Sequence, residues 1–148
     1  MKQLSKSYLF FFVLLLSFAN ISVAQNFEQK QIDKILSLEI DSSINPAGLN
    51  YLKTGYIKAQ KDQYDAILLK LNTPGGLVST TKEILTLMGE ATIPTIIWVT
   101  PEGGSATSAG AIISAGAHLL YMSTGTNIGA ATPIGPQGDL KEGDSKNK

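Results

Sequence analysis

Thr95-Ile96-Ile97-Trp98-Val99, followed by Gly103-Gly104-Ser105-Ala106-Thr107-Ser108-Ala109-Gly110, is the stretch on which the reading of this chain turns. The first run is short, apolar and rich in β-branched residues, the signature of a buried strand. The second is glycine-rich and opens a helix of small residues expected over Ser108 to Ala117. A serine at such a corner sits beside unpaired backbone N–H groups that favour developing negative charge. Upstream, Asn72-Thr73-Pro74-Gly75-Gly76 makes a second corner of the same kind after another apolar run. Two glycine-rich corners, one of them carrying a serine, are the parts of an acyl-transfer site: a nucleophile and an oxyanion hole.

Working outward, the pattern predicts strands at 35–40, 65–71, 95–99 and 119–122, with a short fifth at 127–130. Helices are expected from Asn45-Pro46 to about Gln63, from Leu77 to Ala91 and from Thr107 to Ala117. Leu49, Leu52, Tyr56 and Ala59 recur at helical spacing, as do Ile84, Leu85 and Met88. Ile93-Pro94 ends the second helix. Residues 133–148 read as loop. The order β-α-β-α-β-α-β predicts an α/β fold with a mainly parallel sheet flanked by helices. Sites in such folds lie at the carboxyl ends of strands, where both glycine corners fall.

Composition narrows the chemistry. The 148 residues suit one domain, and 12 cationic side chains balance 12 acidic ones. The cationic residues are all lysine; with no arginine, nucleic acid is not an expected partner. Without cysteine there is no disulfide, thiolate nucleophile or zinc–thiolate site. The N-terminus reads as a signal peptide over residues 1–24: Lys2 and Lys6, an apolar core from Tyr8 to Phe18, then Ser22-Val23-Ala24 with cleavage expected after Ala24. An uncleaved anchor is the alternative, and export follows from either. Removal of that segment leaves residues 25–148 as one domain with a formal charge of −2. The polar run Leu140 to Lys148 lacks a packing element, so this sequence is expected to be the N-terminal piece of a longer protein.

Each candidate residue also has an ordinary explanation. Ser108 could be a helix cap or a packing residue, although Ser105 is the better-placed cap, leaving Ser108 inside the first turn. Pro74-Gly75-Gly76 could be a plain turn; after a buried strand it can also aim a glycine N–H into a cleft. It is no phosphate loop, for no Gly-Lys-Ser/Thr follows. His118, the single histidine, falls at the amino end of a parallel strand, the wrong end for a Ser-His-Asp triad. The remaining ordinary base for a serine is a neutral, desolvated lysine. Lys70 lies mid-strand and Lys82 on a helix face; Lys141, Lys146 and Lys148 lie downstream. Asp62, Asp65, Glu83, Glu90 and Glu102 are scattered and form neither a carboxylate pair nor a metal-ligand cluster, so no metal or other cofactor is expected.

Three blocks, Leu71 to Leu77, Gly103 to Gly110 and Gly125-Thr126-Asn127-Ile128-Gly129-Ala130-Ala131-Thr132-Pro133, together resemble the NfeD membrane-bound serine proteases. These belong to the ClpP-like class and are related to signal peptide peptidase A. The resemblance spans about 35–133. It implies a ClpP/crotonase-like fold, Ser108 as nucleophile, and the N–H groups of Gly76 and Ala109 as the oxyanion hole. Gly75, Gly103 and Gly104 are implied to shape the cleft and pair with an extended apolar peptide. Where ClpP has a histidine, Ala131 or Thr132 stands, a departure that matches the Ser–Lys dyad branch. Lys148 fits the dyad lysine best by spacing, with Lys146 second. The resemblance further implies a homo-oligomer on the periplasmic face of the cell membrane. Its peptide or protein substrate would resemble the apolar tail of a stomatin-like membrane partner. The rival readings are a non-catalytic scaffold of the same fold that binds such a partner, and crotonase-type acyl-CoA chemistry.

Overall fold

The computed structural model describes residues 31–132, together with the backbone of residues 134–135 and 138–139. The signal peptide and Lys141, Lys146 and Lys148 lie outside the described residues.

Four parallel strands, β1 (Ile35–Asp41), β2 (Ala66–Asn72), β3 (Thr95–Val99) and β5 (Leu119–Met122), form the main sheet in that spatial order. Three helices connect them: α1 (Pro46–Lys61), α2 (Val78–Glu90) and α3 (Ala109–Ala115). Two short strands, β4 (Ser105–Thr107) and β6 (Asn127–Gly129), pair in parallel as a second sheet. Each main-sheet strand lies beside its predecessor, so right-handed crossovers carry all three helices to one face. α1 packs on α2, and α2 on α3.

Alternation in the strands fits that layering. Leu38, Leu69 and Ile97 stand in register, as do Ile40, Leu71 and Val99, and all six are buried under the helices. Glu39, Lys70, Trp98 and Tyr121 form the adjacent row on the opposite face. β2 lies centrally, which is why its sequence reads as a nearly continuous apolar run. α1 starts where Pro46 fixes the first helical φ and the Asn45 side chain accepts from the Gly48 N–H at 3.0 Å. Lys58 and Lys61 occupy its last turn, favourable to the helix dipole. Gln63, at φ 55°, takes the chain out toward β2. Leu49, Leu52, Tyr56 and Ala59 are buried on the expected face.

Three local expectations are corrected. Ser105 is no helix cap: it begins β4, where its carbonyl accepts from Thr73 N–H at 2.7 Å. The third helix accordingly starts later, at Ala109, and ends at Ala115. The segment expected to be loop after Pro133 contains a small antiparallel pair, β7 (Ile134–Gly135) with β8 (Gly138–Asp139).

Candidate active site

The two glycine corners meet at the carboxyl ends of β2 and β3, and the backbone of Thr73 joins them. Thr73 donates its N–H to Ser105 O at 2.7 Å and accepts from Thr107 N–H at 3.1 Å, bridging the end of β2 to β4. On the other flank, Ile44 N–H donates to Gly75 O at 2.7 Å and Leu77 N–H donates to Ile44 O at 3.0 Å. In a parallel bridge the residue between those two groups turns its own N–H the opposite way. That residue is Gly76, so its N–H points away from Ile44.

Only glycine fits either position of this corner. Gly75 has φ 121°, and a Cβ there would stand 2.8 Å from Ser108 Cβ and 3.2 Å from its Oγ. A Cβ on Gly76 would fall 2.2 Å from the Ile44 carbonyl oxygen. The first of these distances brings Ser108 directly against the Gly75-Gly76 turn.

Ser108 itself is held in an uncommon backbone conformation, φ 53° and ψ −113°, between β4 and α3. Such a conformation for a side-chain-bearing residue costs about 1–3 kcal/mol and persists only where its surroundings fix it. Here Ser108 N–H donates to Gly129 O at 2.7 Å, and Ser108 O accepts from Ala111 and Ile112. Among the described residues its Oγ has no hydrogen-bond partner and caps no helix. The side chain is partly exposed at the mouth of the corner, and Ala109 begins the helix directly behind it. Gly110 completes the close approach: a Cβ there would lie 2.5 Å from the Thr73 methyl.

Gly103 and Gly104 take a different part. Gly103 N–H donates to Thr124 O at 3.1 Å and Gly104 N–H to Pro101 O at 2.9 Å, while Gly104 O accepts from Asn127 N–H. The first N–H ties this loop to the segment between β5 and β6 and the second closes its own turn, so these glycines build the loop ahead of β4.

His118 lies at the amino end of β5, where its Nδ1 accepts from Thr95 N–H at 3.2 Å and its own N–H donates to Thr95 O. It ties β3 to β5 at the opposite end of the sheet from Ser108. Lys70 is mid-strand on the face away from the helices, and Lys82 is exposed on α2. No described lysine therefore stands at the serine. Lys148, the expected base, lies outside the described residues.

Sequence reasoning missed Asn72. Its Oδ1 accepts from Ser105 N–H at 2.9 Å, and its Nδ2 donates to Asp41 Oδ1 at 2.8 Å. Only its place ahead of Thr73-Pro74-Gly75-Gly76 could have drawn notice. A second polar group links β4 and β6: Ser105 Oγ bonds Thr107 Oγ1 and, at 2.8 Å, Asn127 Oδ1.

A family model described as NfeD1b, N-terminal domain, matches residues 34–148. Among curated proteins, membrane-bound protease PH1510 of Pyrococcus horikoshii is 45% identical over 76 residues, covering 51% of this chain and 17% of that protein. Membrane protein NfeD1b of Bacillus subtilis is 29% identical over 130 residues, 88% of this chain and 28% of that one. The chain thus spans less than a third of the length of these relatives. Among solved structures, the 1510-N membrane-bound stomatin-specific protease, as a lysine-to-alanine mutant with a substrate peptide, superposes with a TM-score of 0.68. It is 33% identical, covering 73% of this chain and 51% of that one. A serine-to-alanine mutant of the same protease gives 0.67 at 34% identity, covering 70% and 50%. ClpP1 of Listeria monocytogenes, at 21% identity, a TM-score of 0.51 and coverage of 55% and 46%, shares the fold. The α/β architecture is that of the ClpP-like class.

Proposed function

Because the chain belongs to the NfeD1b N-terminal-domain family, we propose that it is the catalytic part of a membrane-associated serine endopeptidase in which Ser108 is the nucleophile. The observation that carries this reading is the contact between the two corners. A strained Ser108, at the N-cap position of α3 but with no side-chain cap bond, faces Gly75; the Gly76 N–H is turned away from Ile44, and the Ala109 N–H opens α3. Acyl transfer needs a hydroxyl beside two backbone donors able to hold the oxyanion, and the close approach of these corners supports assigning those parts here.

In the proposed reaction Ser108 Oγ attacks the peptide carbonyl while a neutral lysine takes its proton. The carbonyl oxygen gains negative charge between Gly76 N–H and Ala109 N–H. Collapse expels the amine, which leaves with the proton from the lysine, and water then releases the acyl group. Each oxyanion donor contributes about 3–4 kcal/mol of activation free energy. In the relatives above, the serine and lysine that were replaced lie 41 positions apart. Ser108 and Lys148 lie 40 apart, which favours Lys148 over Lys146 as the base. Leu77 and Val78 follow Gly76 and are 53% and 64% exposed, an apolar lip suited to an apolar peptide. The relatives' description as stomatin-specific makes a stomatin-like membrane protein the substrate to try first. Assembly into a homo-oligomer and a periplasmic location behind a cleaved signal peptide complete the reading. Among the described residues no helix is long and apolar enough to cross a membrane.

The test is a serine-reactive fluorophosphonate on the full-length protein. Labelling that disappears in Ser108→Ala, with peptide hydrolysis lost in both Ser108→Ala and Lys148→Ala, is the expected result. Absent labelling of the wild type, or equal labelling of Ser108→Ala, would leave a binding scaffold as the better account.

A further inference from the structure

We infer that Asn72 is a positioning residue of this site, setting the distance between the serine corner and the Gly75-Gly76 corner. The inference rests on the proposed role of Ser108. Asn72 is the last residue of β2, on the face of the sheet away from the helices, in register with Asp41 at the end of β1. Its amide is used at both ends. Nδ2 donates to the Asp41 carboxylate, and Oδ1 accepts from the Ser105 N–H. The two partners fix the orientation of the amide, since a carboxylate can only accept and a backbone N–H can only donate.

This matters because of what each end holds. Ser105 opens β4, the three-residue strand that delivers Ser108. Asn72 itself leads into Thr73 and the glycine corner. The Asn72 bond to Ser105 N–H and the neighbouring Thr73 bond to Ser105 O therefore grip one residue of β4 from two consecutive positions, the last of β2 and the one after it. Gly104 admits this approach, because a Cβ there would meet Asn72 Oδ1 at 3.3 Å and Pro101 O at 2.8 Å. Asp41 holds the amide plane from the far side, so β1, β2 and β4 are tied at one point. Through Ser105, the Asn72 side chain thus governs how far Ser108 stands from the oxyanion donors.

The pairing permits a swap that keeps the fold and tests the role. In the full-length protein, Asn72→Asp keeps an acceptor for Ser105 N–H but sets two carboxylates against each other. Asp41→Asn combined with Asn72→Asp restores a donor at position 41 and an acceptor at position 72. Active sites are titrated to completion with the fluorophosphonate, and kcat and KM are then measured per titrated site on an apolar peptide. The expected result is a fall in kcat per site of about a hundredfold in Asn72→Asp, the scale of an ångström-sized misplacement, with KM changed less than threefold. The double variant should recover at least tenfold of that loss. A residue that served stability alone would lower the titrated fraction and the melting temperature while leaving kcat per site intact, and that result would overturn the inference. So would an unrecovered double variant that melts like wild type. Failure of the wild type to label at Ser108 would instead refute the underlying reading of the site.

Discussion

Replacing Gly75 with alanine tests the apposition of the two corners more directly than removing the serine. The added methyl would stand 2.8 Å from Ser108 Cβ and 3.4 Å from Thr107 O. Carbon atoms rest about 3.5–4.0 Å apart, so one corner must retreat by roughly 0.7–1.2 Å. A misplacement of that size at a reacting centre costs about a hundredfold in rate. The substitution also forces alanine to φ 121°, which removes about 1–3 kcal/mol of stability. The two effects are separable. Urea unfolding of the full-length protein should show the stability loss. The second-order rate of fluorophosphonate labelling, measured where the variant remains folded, should fall by about two orders of magnitude. A folded Gly75→Ala protein that labels at Ser108 within threefold of the wild-type rate would refute the reasoning, because Gly75 would then not set the approach to the serine.

Four further outcomes are expected. Thr73→Val keeps the buried shape but deletes the hydroxyl that donates to Gly75 O and accepts from Gly75 N–H; it should lower stability by about 1–3 kcal/mol, read by urea midpoint, and slow labelling of Ser108. Gly89→Ala, in α2 with open space around the new methyl, should raise stability by about 0.5–1 kcal/mol and leave the labelling rate unchanged. Ser114 Oγ is buried with no partner among the described residues, so Ser114→Ala should be neutral or stabilising by up to about 1 kcal/mol in the same assay. Burial pushes the Tyr56 phenol above its usual value, with the Thr95 hydroxyl pulling partly back. Its folded pKa being the higher one, the stability it confers is complete below the unfolded value of about 10 and is lost as pH rises through the folded value. Thermal melts should show wild type losing more stability than Tyr56→Phe in that alkaline window.

Much of the main sheet was legible because its signals are local. Thr95–Val99 and Leu119–Met122 were bounded correctly: the first follows Pro94, and both are apolar runs too short for a helix. Asn45-Pro46 marked the start of α1 for a chemical reason visible in two letters. β4 was not legible. Its three small residues carry no period, and their extended form comes from Thr73 on one side and from Asn127 to Gly129, some twenty positions away, on the other. The helix behind the serine was expected one to two residues too early for the same reason: strand pairing claims Ser105 to Thr107 before the helix can begin. Asn72 escaped notice because its two partners lie 31 and 33 positions away.

These long-range ties explain why the serine corner depends on so little local preference. Ser108 would relax from φ 53° in an isolated peptide, since nothing in Ala-Thr-Ser-Ala-Gly favours that conformation. In the fold its two flanks are fixed independently. Thr107 is pinned to Thr73 before it, and Ala109 and Gly110 are packed behind it, with Gly110 against the Thr73 methyl. Ser108 N–H is meanwhile drawn to Gly129 O on β6. One fully buried threonine therefore touches the strand before the serine, the helix after it and, through its hydroxyl, the glycine turn opposite. The conformation of the proposed nucleophile is thus a property of β2, β4 and β6 together. Damage to any of the three should reach the serine before it reaches the core.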